Sequence, residues 1–251
     1  MVGGGRTALV VEDDLLTLGL LAEILTQSGF VVGAAATVAR ARLMWERMSP
    51  AAVVLDVDLG PGVNGFDLAD AFLAQSPDLA VLFLSNLPDA RFAGRDPGSL
   101  PAGVGYLRRD HLAEPKALVA ALDAVLGRSR SGIPRDDLDP ARPLAGLSRT
   151  QVEVLRMVAL GMSNQQIADE RGTTSRAIHN VLTRTMALIG AADSDEGSAR
   201  VAAAHEFIRV AGLPTSPRTR RAPTAPSCLV NHAATAVDLS SPSVPEGLTT
   251  I

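Results

Sequence analysis

Glu12, Asp13 and Asp14 follow directly on the apolar run ALVV (8–11), and Asp56 and Asp58 close the apolar run AAVVLD (51–56) and its sequel. In a doubly wound sheet, groups beyond the carboxyl ends of neighbouring strands share one crevice, and ligands bind there. Carboxylates gathered in such a crevice repel one another. A hard divalent cation such as Mg²⁺ removes that penalty, taking oxygen ligands and keeping several waters. With the cation bound, one carboxylate can act as a nucleophile toward a phosphoryl donor and become an aspartyl phosphate. Ser85 ends a further run, LAVLFLS, where its hydroxyl can donate to a phosphoryl oxygen. The run VGYLR then brings Tyr106, with Arg109 just beyond it.

Arg109 is a permanent cation with a planar, forked donor set on a long stem, so it neutralises phosphate with a geometry different from that of an ammonium. Arg108, one residue earlier on a strand, belongs to the opposite face. Lys116, the only lysine in the chain, falls on the next helix.

The elements that must hold these groups are legible as a βα rhythm over residues 7–128. Five apolar runs alternate with segments of helical spacing such as LLTLGLLAEILTQSG and PKALVAALDAVLGR. Continuous apolar runs separated by helices predict an α/β doubly wound, five-stranded parallel sheet covered on both faces. One crossover is irregular. After Ser85 the chain reads NLPDARFAGRDPGSLPAG, and its Gly and Pro content predicts a short or absent helix.

Residues 129–145 carry no apolar period and read as a linker. From Leu147 the pattern is purely helical, with capping boxes at Ser148/Gln151 and Ser163/Gln166. Three helices on very short turns, with a fourth over about 197–211, predict a small all-α helix-turn-helix domain over 146–213. Residues 214–251 are rich in Pro, Ser and Thr without apolar patterning, which predicts disorder.

Such a domain braces one helix to place another in the major groove, about 12 Å wide. NQQIADE is the bracing segment. In SRAIHNVLTRTMALI (175–189), Ile178, Leu182 and Met186 face inward at helical spacing, leaving Arg176, His179, Asn180, Thr183 and Arg184 outward with no acid among them. Seven arginines and seven acids cancel between Leu147 and Leu213, so positive charge is concentrated on this helix. The net charge of −4 over the whole chain argues against indiscriminate coating of nucleic acid and leaves a local patch as the route to DNA. Cys228 is the single cysteine and forms no internal disulfide or metal cluster. No stretch approaches the ~20 apolar residues of a membrane span, and MVGGGRT lacks a signal-peptide core, so a cytoplasmic protein without membrane association is expected.

VVEDD (10–14), VVLDVDLGPGVNGFDLA (53–69), FLS (83–85) and GYLRRD (105–110) resemble a two-component receiver domain. LSRTQVEVLRMVALGMSNQQIADERGTTSRAIHNVL is similar to a LuxR-type helix-turn-helix. Together they resemble a response regulator of the NarL type, with a flavodoxin-like receiver (1–128), a linker (129–145), the DNA-binding domain (146–213) and a tail. The resemblance implies that Glu12 and Asp13 are the metal-binding pair, that Asp56 accepts phosphate from a sensor histidine kinase, and that Asp58 gives Mg²⁺ its backbone carbonyl. It implies a switch made of Ser85 and Tyr106, and it puts Arg109 where the family has lysine. In the second domain it implies contacts to double-stranded DNA from Arg176, His179 and Asn180, with Asn164 on the backbone. A homodimer on paired half-sites is expected, with Val201, Ala204, Phe207 and Ile208 of the fourth helix able to supply the contact. Two other readings fit parts of the pattern. One is a regulator whose receiver works without phosphorylation. The other is a haloacid-dehalogenase-like phosphotransferase, for which LDVD (55–58) has the Asp-x-Asp pair.

Overall fold

The computed structural model describes residues 6–60, 64–96, 98–101, 103–111, 114–127, 132–190 and 196–214. The tail expected to be disordered lies, from 215 onward, outside the described residues. Five strands, β1 (Thr7–Val11), β2 (Val31–Ala35), β3 (Ala52–Leu55), β4 (Ala80–Ser85) and β5 (Gly105–Arg108), form one parallel sheet in the order β2-β1-β3-β4-β5. Every pairing is parallel, from Val10 with Val54 to Phe83 with Tyr106.

Because successive side chains on a strand point to opposite faces, each apolar run feeds two cores. Leu9, Val11, Val53, Leu55, Val81, Phe83 and Tyr106 face α2 (Val38–Met48) and α3 (Gly65–Gln75). Their alternates, Ala8, Val10, Val54, Leu82, Leu84 and Leu107, face α1 (Leu15–Gln27) and α4 (Pro115–Leu126). That is why the strands read as unbroken apolar runs. α3 packs so tightly against the end of β3 that a Cβ at Gly65 would lie 2.0 Å from the Asp56 carbonyl oxygen, so only glycine fits.

Between β4 and β5 the described chain makes a single 3-10 turn, Ala90–Ala93, where a helix would complete the βα pattern. The irregular crossover is thus as its Gly and Pro content predicts. Residues 132–147 lie along the free edge of β5. Tyr106 N–H donates to Pro134 O (2.8 Å), and Arg108 N–H donates to the Asp136 carboxylate (2.7 Å). An edge strand offers unpaired backbone groups, and any ordered segment of chain can satisfy them. Arg135 anchors this segment by a two-point pair with the buried Asp137 (2.8 and 2.9 Å).

The helical part comprises α5 (Arg149–Ala159), α6 (Asn164–Arg171), α7 (Ser175–Leu188) and α8 (Glu196–Ala211). Both expected capping boxes are present at α5 and α6. A left-handed Gly172 (φ 62°) ends α6, and Thr174 caps α7. Val152, Leu155, Ile167, Ile178, Leu182 and Ala203 close the core between the helices.

Candidate functional site

β1 and β3 are neighbours, so their carboxyl ends deliver Glu12, Asp13 and Asp56 to one place. Each offers an oxygen within 4.8 Å of the others. Glu12 is buried, Asp13 is exposed and Asp56 lies between. Asp58 is exposed on the following loop. Asp14 belongs to the fold: it caps α1 by accepting the Thr17 N–H (2.8 Å).

Arg109 reaches this cluster from the end of β5. One guanidinium nitrogen pairs with both Glu12 and Asp56, the latter at 3.0 Å. Its Nε is buried with no hydrogen-bond partner among the described residues. Arg108 turns away, as expected from strand alternation, and pairs with Asp110. Burial pushes the Asp56 carboxyl up to about 7, against the pull of Arg109, while the Glu12 charge adds to the rise. Burial likewise raises Glu12, with Arg109 opposing. The cluster is therefore short of positive charge even with Arg109 in it. Its oxygen donors suit a hard cation, and the residues fit Mg²⁺.

Ser85 and Tyr106 meet at one residue that the sequence did not single out. Ser85 Oγ accepts the Leu87 N–H (3.2 Å), and Tyr106 OH donates to the Leu87 carbonyl (2.8 Å). Burial drives the phenol pKa well above its usual value.

On α7, Ile178, Leu182 and Met186 are buried as predicted, with Thr185 beside them. Arg176, His179, Asn180, Thr183 and Arg184 are exposed together. The Thr183 hydroxyl donates back to the His179 carbonyl (3.0 Å). Asn164 is half-buried and accepts from Arg200 of α8 (2.8 Å), so its side chain is tied to the helical core. On α8, Val201 is 69% exposed, but Phe207 is only 3% exposed, its ring 5.7 Å from that of Phe92 in the receiver half. Phe207 is therefore spent within the chain and is not free for a partner subunit, contrary to the sequence expectation.

Sequence reasoning also missed the group around Phe92. Asp89 and Arg91 are both buried, and Arg142 reaches Asp89 (2.7 Å). The one available signal was a phenylalanine stranded in a Gly/Pro segment of a chain with six of them.

Residues 8–95 match the family model described as response regulator receiver domain, and residues 145–200 match that of bacterial regulatory proteins, luxR family. The chain is 30% identical over 179 residues to the DNA-binding transcriptional activator DevR/DosR of Mycobacterium tuberculosis, covering 64% of this chain and 76% of that one. It is 27% identical over 190 residues to the transcriptional regulatory protein FixJ of Azorhizobium caulinodans, covering 71% and 85%. Among solved structures it is similar in fold to RcsB of Salmonella enterica serovar Typhimurium bound to the promoter P1flhDC, with a TM-score of 0.54 and 17% identity over 82% of this chain and 100% of that one. No helix among the described residues is long and apolar enough to cross a membrane. With a receiver sheet, a LuxR-type helical half and a relative that shares both, the chain belongs to the NarL/LuxR-type response regulators.

Proposed function

We propose that this transcriptional response regulator is switched by phosphorylation of Asp56 and reads double-stranded DNA with α7. The observation that carries the reading is the meeting of Glu12, Asp13 and Asp56 oxygens at the strand ends, beside a cation from β5. An Asp56 oxygen attacks the phosphorus of a phosphohistidine on a sensor kinase. The N–P bond breaks, the imidazole leaves, and an acyl phosphate remains. Glu12, Asp13, Asp56 and the Asp58 carbonyl would hold Mg²⁺, which supplies positive charge to the phosphoryl oxygens when bound. Arg109, with a buried Nε lacking an acceptor, is placed to take a phosphoryl oxygen once its hold on Asp56 is released. Ser85 donates to another, and Tyr106 follows it.

The protein acts in the cytoplasm as a regulator without enzymatic turnover of its own, and binds DNA as a homodimer. A second reading, a receiver that works without phosphorylation, is favoured by the Arg109 pairs with Glu12 and Asp56, which stand where a new ligand must compete. Incubation with Mg²⁺ and acetyl phosphate separates the two. Wild type is expected to acquire an acid-stable, base-labile phosphate that Asp56→Asn lacks. No adduct on wild type would leave the second reading standing.

For DNA, Arg176→Ala is expected to weaken binding to genomic fragments retained by wild type by about 1–3 kcal/mol if Arg176 meets a base edge. If it meets a phosphate, the slope of log K against log salt shrinks by about 1. Unchanged retention and slope would remove α7 as the reading helix.

A further inference from the structure

The crossover that lacks a helix is also a piece of the DNA-binding half. Leu87 packs against the sheet core and the helical core at once. Asp89 caps the 3-10 turn and holds Arg91 by two contacts, 2.9 Å to Nε and 2.6 Å to Nη2. Arg91 is 2% exposed, and its remaining nitrogen donates to the carbonyls of Ala145 (3.2 Å) and Leu147, immediately before α5. Phe92 is a member of the helical core. Arg149, the first residue of α5, donates to the Gly94 carbonyl (3.0 Å) and pairs with Asp96 (2.9 Å).

A buried guanidinium must have its donors satisfied, so the entry of the chain into α5 is set by where residues 89–91 stand. Those residues follow directly on Leu87, whose two backbone groups are held by Ser85 and Tyr106. We propose that Leu87 is a positioning residue coupling the acidic cluster to the DNA-binding half. In this scheme, segment 87–96 is a latch whose grip on α5 and α8 depends on the Ser85 and Tyr106 hydroxyls. The outward residues of α7 are exposed with the latch closed. Control is therefore exerted through the α5–α8 side of the domain and not by covering the reading helix. The signalling half of this inference rests on Asp56 being the phosphate acceptor; the mechanical half does not.

Hydrogen–deuterium exchange on the full-length protein tests both halves. Ser85→Ala/Tyr106→Phe frees both ends of Leu87. It is expected to speed exchange in α5 and α8 by about tenfold, consistent with the loss of two hydrogen bonds, while β1 and α1 exchange as in wild type. If the double variant unfolds, Tyr106→Phe alone is expected to give about a fivefold change at the same places. Wild-type exchange in α5 and α8 of whichever variant remains folded would overturn the latch. In a second arm, Mg²⁺ with beryllium fluoride is expected to protect residues 12–14 and 56–58 of wild type and to alter α5 and α8. In Leu87→Ala the near protection should stay and the distant change vanish. A distant change of wild-type size in Leu87→Ala would overturn the coupling. Lack of protection at 12–14 and 56–58 would overturn the acceptor reading, and the hydroxyl variants would still decide the latch.

Discussion

Arg91→Ala is expected to lower the unfolding free energy of the full-length chain by about 3–5 kcal/mol, the range for removing one partner of a buried ion pair. The substitution strips Asp89 of its two-point partner and leaves the carbonyls of Ala145 and Leu147 without that donor. It also opens space beside Phe92, where surrounding structure relaxes only in part. Arg142 still reaches Asp89 (2.7 Å), which sets the loss at the lower part of the range if that arginine can shift inward. Urea unfolding followed by circular dichroism measures it, and a loss below about 1 kcal/mol, the scale of an exposed pair, would show that the buried pair contributes little.

The same cluster gives the protein an acid limb. Burial alone would raise the Asp89 pKa, but hydrogen bonds and charge from Arg91 and Arg142 more than offset this and hold the carboxyl below its usual value. A carboxyl depressed in the folded state contributes stability that is fully present above its unfolded value, near pH 4. That contribution is lost as pH falls through the lower folded value. Asp89→Asn should therefore flatten the fall of the thermal midpoint below about pH 4 as well as lowering it at neutrality.

Arg109→Ala is expected to tighten Mg²⁺ binding by on the order of tenfold or more, because a charge a few ångströms from the site acts with energies of several kcal/mol at an intermediate dielectric. The guanidinium now pairs with two of the three carboxylates that offer the metal their oxygens. Any divalent cation must win Glu12 and Asp56 from it. Arg109→Lys should fall between the two, since an ammonium cannot fork to both acids as a guanidinium does. Isothermal titration calorimetry with MgCl₂ reads the order directly. Equal affinities in all three proteins would mean that Arg109 leaves the site freely and competes for nothing. In metal-free protein, Arg109→Ala should also be less stable than wild type, because the mutual repulsion of the three acids then has no counter-charge.

The βα half was legible in the sequence because its information is local. Apolar runs, helical spacing, the caps at Ser148 and Ser163 and the acids at strand ends all declare themselves within a few residues. The meeting of Glu12 with Asp56 followed from strand adjacency, which the parallel pattern implies. What was not legible is long-range and polar. Arg91 and Asp89 sit two apart in a Gly/Pro stretch that reads as solvent-exposed loop, since buried arginines are uncommon and nothing periodic marks one. The docking of residues 132–147 on β5 uses main-chain atoms that every sequence shares. Gly65 looked like one more loop glycine, although its missing Cβ is what lets α3 meet the end of β3. Phe207 fitted a helical stripe equally well as a subunit contact and as an internal one.

The shared core at Phe92 and Phe207 also bears on how such chains can be recombined. The receiver family model ends at residue 95 and the luxR model begins at 145, which invites a cut between them. A graft made there would deliver α5 and α8 without the aromatic ring and the buried guanidinium that complete them. The modular unit in this protein is thus the helical half together with residues 87–96, and those residues would have to travel with it into any foreign receiver.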